Sequence, residues 1–312
     1  MKTVLSLLSF FKKPFTYAVC FAVALTGFSV YVLLDAFVIE KVYAVFDTGG
    51  IINTDSDTKI SNTEPALIEP VITDMSYFDE NIDLTIEKFD EKGVVFFVAD
   101  LKISDAKYLR TAPARGVFGK NITEKTSVMA EENNALFAIN GDYYGFSDRG
   151  VIMRNGQLLR TNPRKSRCGL VIDKNGNLLI IDERELTKDK LEAIDAVQCF
   201  SFGPTLIVDG EIHINNTGVS QDKNPRTAIG QIEPLHYIFI VVDGRTEASK
   251  GMEFPALARE FKKRGCKTAY NLDGGGSATM WFNGRVINNP TDGDYVGERE
   301  ISDIIYIAGG VK

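Results

Sequence analysis

The chain of 312 residues has only two histidines, four cysteines and one tryptophan. The shortage of histidine excludes most. A Ser-His-Asp hydrolase would have to use His213 or His236, and a zinc hydrolase normally needs two or three such ligands. His236 lies in the apolar run 235–242 and His213 follows the turn-like Asp209-Gly210, so both read as core or surface residues without catalytic duty. Cys20 falls in an apolar N-terminal run, and Cys168, Cys199 and Cys266 form no CxxC pair. That spacing argues against metal or thioredoxin-like use and leaves room for one disulfide at most. A basic surplus is missing too. With a net charge of -7 there is no basic stripe to neutralise a phosphate backbone, which excludes a general nucleic-acid binder but not a small anion held by a few local arginines. Chemistry is therefore expected to run on carboxylates, arginines and backbone amides.

Phe15 to Leu34 is uncharged and just long enough to cross a bilayer as a helix. Lys2, Lys12 and Lys13 precede it, while Asp35 and Glu40 follow, a bias that places the N-terminus inside and the remainder outside. The rival, a cleaved signal peptide, would usually have a shorter apolar core and a small-residue cleavage site. The sequence thus predicts a cytoplasmic tail over 1–13, a single-pass anchor over 14–34, an extracytoplasmic stalk over 35–75 and one catalytic domain over 76–312. The stalk assignment rests on the Gly, Asn, Asp, Ser, Thr and Pro that dominate residues 47–73.

Turn residues organise the domain. Asn155-Gly156, Asn175-Gly176, Asp209-Gly210 and Asn283-Gly284 each sit between short β-prone runs, and such pairs supply the positive φ values that tight hairpins need. Residues 94–103, 136–139, 237–242 and 304–307 read as buried strands. The clearest helix begins near Pro255, with Leu257, Ala258 and Phe261 at helical spacing and Gly265 as its stop. Another helix is expected within 123–133, and 77–89 is ambiguous. The fold class is α+β: a strand-rich mixed sheet with several hairpins and flanking helices, preceded by the transmembrane helix.

Four segments put polar residues directly after apolar runs, the strand ends where ligands tend to bind in open sheets. They supply Asn140, Asp142 and Tyr143; Arg226 and Thr227; Asp243 and Arg245; and Asn271, Asp273, Gly274, Gly275, Gly276 and Ser277. Three glycines after a strand allow close backbone approach and favour an anion or oxyanion, although such triplets are often plain turns. Taken singly, Asp243 and Asp273 read equally as turn aspartates, and Arg226 and Arg245 as surface ion-pair partners. Together, carboxylates, guanidinium forks and a glycine nest suit a sugar bearing a phosphate. No EF-hand spacing is present, so no metal or other cofactor is required and a divalent cation is optional.

The run Asn271-Leu272-Asp273-Gly274-Gly275-Gly276-Ser277-Ala278-Thr279-Met280 resembles the signature of the phosphodiester glycosidase family. Ala138-Ile139-Asn140-Gly141-Asp142-Tyr143-Tyr144, Asn224-Pro225-Arg226-Thr227-Ala228-Ile229-Gly230 and Val242-Asp243-Gly244-Arg245 are similar to its other motifs, in the same order, over residues 80–310. The resemblance implies hydrolysis of the bond between a sugar anomeric carbon and a phosphodiester oxygen. On that reading Arg226 and Arg245 hold the phosphate. Asp273 or Asp243 acts as nucleophile or base, Asp142 supports the sugar or the other carboxylate, and the 274–277 backbone cradles the phosphate or a sugar oxygen. Asn140, Thr227 and Asn271 join the substrate-binding set, and Tyr143, Tyr144 and Trp281 are candidates for stacking on a sugar, with core packing equally open to each. Partners are then a phosphodiester-linked sugar and, through the anchor, a membrane. The alternatives are a non-catalytic envelope module that binds anionic glycopolymers, and a phosphodiesterase that cuts P–O.

Overall fold

A computed structural model describes residues 14–46, 69–214 and 222–309. The expected tail, most of the stalk and the last three residues lie outside the described residues. Two compact units emerge, Met1–Lys41 and Val42–Lys312.

The first unit is the helix Pro14–Phe37, which runs three residues past the end of the uncharged run because Asp35 fits the last turn and pairs with Lys41 at 2.6 Å. At 1.5 Å per residue its 24 residues span ~36 Å, enough for the ~30 Å hydrocarbon core of a bilayer. Its apolar side chains are exposed all round.

The second unit is strand-rich α+β, as the turn pattern predicts. The ladders of its three larger sheets are antiparallel throughout. A nine-stranded sheet is built on Ile82–Glu91, Val94–Ile103, His236–Val242, Arg226–Glu233, Thr268–Asn271 and Thr205–Val208, with short strands at each edge. One five-stranded sheet contains Leu109–Pro113, Asp303–Ala308, Ala135–Asn140 and Met280–Phe282; the other contains Gly150–Arg154, Ala196–Phe200 and Cys168–Asp173. The expected stalk is ordered at both ends: Phe46 N–H donates to Gly116 O at 2.9 Å, and Val71–Ile72 pairs with Ser76–Phe78 at the edge of the large sheet.

Three of the four predicted hairpin turns have both central residues at positive φ: Asn155 at 48° and Gly156 at 79°, Asp209 at 50° and Gly210 at 79°, Asn283 at 45° and Gly284 at 87°. The fourth differs. Only Gly176 is positive, at 81°, and the Asp173 carboxylate accepts from the amides of Asn175 and Asn177 in place of a tight two-residue turn. The longest hairpin, joining Ile82–Glu91 to Val94–Ile103, turns through Lys92-Gly93 and had no Asn-Gly or Asp-Gly pair to announce it.

The large sheet has core on both faces over its central strands, while Asp83, Thr85, Glu87, Asp100 and Lys102 are exposed on one face, and strand alternation sorts its side chains. Tyr237, Phe239 and Val241 join Phe97, Leu101, Phe137, Ile139, Leu170 and Phe200 in the core shared with the smaller sheets. Ile238, Ile240 and Val242 face the helix Phe254–Lys263, which buries Phe254, Leu257, Ala258 and Phe261, each large side chain contributing about 1.5–3 kcal/mol. A further helix, Thr126–Glu132, covers the outer face of the five-stranded sheet, where Trp281 packs with Met129, Ala130 and Tyr306. Trp281 is therefore a core residue and not a sugar platform. Cys168, Cys199 and Cys266 are all unpaired.

Candidate active site

In an antiparallel sheet the C-terminal end of one strand lies beside the N-terminal start of its neighbour, and the site is built at such an edge. Asn140 closes the strand Ala135–Asn140 opposite Ile304. Its Nδ2 donates to Asp273 O at 2.7 Å, and its Oδ1 accepts from Thr227 Oγ1 at 2.6 Å and from the Thr279 amide at 3.3 Å. One fully buried amide thus ties together three of the four motif segments. Asn271 does similar work, with Nδ2 donating to the carbonyls of Gly203 and Leu272. Asn140, Thr227 and Asn271 hold the backbone of the site and are enclosed by it.

Asp142 and Asp273 come together. The Asp142 carboxylate accepts from the Ser201 amide at 2.9 Å and from the Tyr144 amide at 3.2 Å, and pairs with Arg154 Nη2 at 3.1 Å. Arg154, fully buried, turns its Nε to Asp303 Oδ2 at 2.6 Å and lies 3.9 Å over the Phe200 ring. One guanidinium is shared by two buried carboxylates. Burial, with the Asp142 charge adding to it, raises the Asp303 pKa against the pull of Arg154. The Ser201 hydroxyl extends the chain to Glu183 at 2.5 Å, a carboxyl whose pKa burial also raises. Gly141 is required beside this cluster because a Cβ there would collide with the Asp303 carboxylate.

Asp273 is 9% exposed and accepts from Ser277 Oγ at 2.5 Å and from the Gly274 amide at 2.9 Å. Burial pushes its pKa up to about 6; those two hydrogen bonds and the charge of Arg299 oppose the rise, and Asp142 adds to it. A carboxyl that titrates near neutrality is suited to proton transfer or attack.

The glycine triplet departs from the expected anion cradle. Gly274 N–H is turned to the Asp273 carboxylate, Gly275 N–H to Pro225 O and Ser277 N–H to Gly274 O. The glycines instead permit side chains to lie against the backbone. A Cβ on Gly275, whose φ is +62°, would come within 2.9 Å of Arg245 Nη2, and one on Gly276 within 2.5 Å of Asp292 Oδ1 and 2.7 Å of Arg299 Nε. Arg245 is exposed and Arg299 half-buried, the latter paired with Asp292 at 2.5 Å. Two guanidinium groups therefore flank the turn that carries Asp273. Near both Asp273 and Arg299, Tyr143 stacks on Phe146 with ring centroids 4.5 Å apart, each ring 38% exposed. Tyr144 points inward and donates to Ser302 O at 2.9 Å, so only the first tyrosine of the pair is available to a ligand.

Asp243 and Arg226 are placed differently. Asp243 Oδ1 accepts from Asn288 Nδ2 and from the Asn289 amide, both at 2.9 Å, and burial raises its pKa. Arg226 alternates with Thr227 onto the opposite face, where its guanidinium lies 3.8 Å over the Phe254 ring and donates to Met252 O at 3.0 Å and Asp222 O at 2.7 Å. Its expected role as a phosphate ligand is not what this geometry favours, since backbone carbonyls and an aromatic face already take up the fork. The loops still converge, because Gly275 N–H bonds Pro225 O and Thr291 Oγ1 bonds Gly244 O.

Sequence reasoning passed over Arg154, Glu183, Asp292, Arg299 and Asp303. Arg154 had a visible signal, a lone cation closing the apolar strand Gly150–Arg154. Asp303 had another, an acid opening an apolar strand, but only C-terminal strand ends had been weighed. Among the described residues, no group of three or more His, Cys, Asp or Glu side chains is placed to hold a metal ion.

Comparison with known proteins bears on the family and the fold. The chain is similar to the SPbeta prophage-derived uncharacterized protein YomE of Bacillus subtilis (strain 168), 26% identical over 279 residues that cover 82% of this chain and 42% of that one. It is similar to the N-acetylglucosamine-1-phosphodiester alpha-N-acetylglucosaminidase of Mus musculus, 27% identical over 190 residues that cover 54% of this chain and 35% of that protein. The chain thus spans less than half the length of these relatives. Its fold matches the zebrafish N-acetylglucosamine-1-phosphodiester alpha-N-acetylglucosaminidase catalytic domain, a structure described as auto-inhibited by its pro-peptide, with a TM-score of 0.60 at 23% identity over 88% of this chain and 89% of that one. A hypothetical protein from Synechocystis shares the fold at a TM-score of 0.53 and 16% identity, over 73% of this chain and 62% of that one. Residues 133–308, more than half of the chain, match the profile of the phosphodiester glycosidases, and the chain belongs to that family.

Proposed function

We propose that this protein is a membrane-tethered glycosidase that cleaves the bond between a sugar anomeric carbon and a phosphodiester oxygen, acting outside the membrane on a surface glycan or similar phosphodiester. The observation that carries the reading is Asp273: a buried carboxyl titrating at about 6, beside exposed Tyr143 and between Arg245 and Arg299. The sugar stacks on Tyr143 and Phe146, and the two arginines bind the phosphate and stabilise the charge that grows on it. Ionised Asp273 attacks the anomeric carbon and forms a glycosyl ester that water then hydrolyses, or it deprotonates a water that attacks that carbon directly. The electron pair of the breaking C–O bond passes to the phosphate oxygen, which leaves as a phosphomonoester, so strong acid assistance is unnecessary. Asp142 orients the sugar and is itself held by Arg154. Asp243 fixes the 288–289 loop beneath Arg245, and Arg226 anchors the 222–226 loop.

The domain order follows the sequence: tail over 1–13, anchor from residue 14, a linker, and the catalytic unit. The helix, with lysines before it and acids after it, supports an inside N-terminus and an outside domain. A cleaved signal sequence would satisfy the same helix, and the mass of the mature chain distinguishes the two, the anchor requiring that residues 1–34 be retained.

The reaction is tested by hydrolysing a sugar-1-phosphodiester in oxygen-18 water. Label in the released sugar is expected. Label in the phosphate would mean P–O cleavage, and tight binding without sugar release would favour a non-catalytic module for anionic glycopolymers.

A further inference from the structure

An acidic chain concentrates four cations in eight residues, Arg160, Arg164, Lys165 and Arg167, with no acid among residues 160–167. The segment runs from the end of the strand Gln157–Asn162 to the start of Cys168–Asp173. Its distance from the site is short in bonds. Arg164 N–H donates to Glu183 Oε2 at 2.7 Å, Glu183 Oε1 accepts from Ser201 Oγ at 2.5 Å, and Ser201 N–H donates to Asp142 at 2.9 Å. Arg160 and Arg164 both feel the charge of Asp142.

Arg160 is structural. Its guanidinium caps the turn after Tyr143 by donating to the carbonyls of Tyr144, Ser147, Arg149 and Gly150. Arg164 and Arg167 are not used up in this way. Arg164 places Nη2 on Ser147 Oγ at 2.7 Å, while its Nε is buried without a partner; Arg167 gives Nη1 to Phe202 O at 3.0 Å. The charges of Arg160, Arg164 and Arg167 repel in sequence, and nearby Asp142, Glu183 and Asp148 are already paired, buried or at the rim. Lining up like charges costs stability in the empty protein, and an anion placed among them recovers it. In the glycosidase reading the scissile phosphate goes to Arg245 and Arg299 beside the 275–276 turn, whereas Arg164 and Arg167 bond Ser147 and Phe202, so the second cluster would take a different part of the substrate.

Resting on the glycosidase reading above, we propose that Arg164 and Arg167 form a subsite for a second phosphate of the substrate, one unit beyond the scissile bond, so that the preferred substrates are glycans on a poly-phosphodiester chain and not isolated sugar phosphodiesters. Two substrates with the same scissile sugar-1-phosphodiester test this, one with a neutral alcohol as aglycone and one whose aglycone carries a further phosphodiester. The wild-type protein should favour the second by about tenfold or more in kcat/KM, less so as salt is raised. In Arg164→Gln/Arg167→Gln that ratio should fall towards one; because both substrates are read in the same variant, general damage cancels. A glycerol-phosphate oligomer lacking the sugar provides the independent arm. By calorimetry it should bind the wild-type chain and lose at least tenfold in the variant. Binding of the oligomer with no turnover of either substrate removes the glycosidase reading and leaves the subsite standing. Turnover with a substrate ratio near one, or an oligomer affinity that the variant keeps, overturns the subsite and leaves the glycosidase.

Discussion

Asp243 and Asp273 are alike in sequence: each follows an apolar strand and precedes glycine. In the folded chain their surroundings diverge. The Asp243 carboxylate is held by the amides of Asn288 and Asn289, neutral donors that stitch one loop to another. Asp273 is held by Ser277 and Gly274, feels both Asp142 and Arg299, and sits next to the exposed Tyr143. What separates the two turn aspartates is the company brought by other strands: Asp273 has Asp142 near it, and Asp142 is held in turn by Arg154, which no motif contained. Asp243, bonded to amides and feeling the charge of Lys88, organises a loop. The Asp273 carboxyl lies buried among charges and near an exposed aromatic ring, the surroundings that the proposed reaction requires.

That contrast can be strained at several points. The largest effect is expected on stability, in the charged cluster behind Asp142. Arg154→Met strands two buried carboxylates, Asp142 and Asp303, and should destabilise the fold by about 3–5 kcal/mol, read by denaturant unfolding. Adding Asp303→Asn to that variant should restore part of the loss, since it removes one stranded charge.

Next comes the pH response of Asp273. Its folded pKa of about 6 exceeds the unfolded value near 3.9, so the folded state binds the extra proton. Its contribution to stability is complete below about pH 4 and is lost as pH rises through about 6. Asp273→Asn, an isosteric neutral mimic, should therefore raise stability at pH 7.5 by up to about 3 kcal/mol and change it little at pH 4. Equal shifts in melting temperature at both pH values would contradict the assigned environment.

Smaller again, Arg299→Met should lower kcat/KM for a sugar-1-phosphodiester by about 10–100-fold, the worth of one charge-assisted hydrogen bond of roughly 1.5–3 kcal/mol. The smallest change is reserved for Asp243→Asn, which keeps the acceptor oxygen facing Asn288 and should cost less than about tenfold in kcat/KM, where tenfold is 1.4 kcal/mol. A loss at Asp243 as large as that at Asp273 would erase the distinction between the two turns.

Much of this was readable beforehand because local chemistry announced it. Asn155-Gly156, Asp209-Gly210 and Asn283-Gly284 need positive φ and obtain it, and Pro255 opens its helix where a missing N–H is harmless. The candidate site was partly legible in its loops: Asn140 closes one strand and Asp273 follows another, but Thr227 lies inside the strand Arg226–Glu233 and reaches Asn140 through its side chain. Arg154 and Asp303 were hidden because their meaning is relational. Each is an ordinary charge in sequence, and only the pairing of Asp303–Ala308 with Ala135–Asn140 carries Asp303 to Asp142. The glycine triplet misled in an instructive way. It signals close approach, and the approaching groups are the protein's own Arg245 and Arg299. Arg226 is a motif arginine whose fork the chain's own carbonyls occupy.

The most direct test is the kcat/KM of purified, folded Asp273→Asn with a sugar-1-phosphodiester. The account predicts a loss of at least ~10²-fold, within the ~10²–10⁴-fold range typical of a positioned acid or base. A variant that turned over within a few-fold of wild type would contradict it.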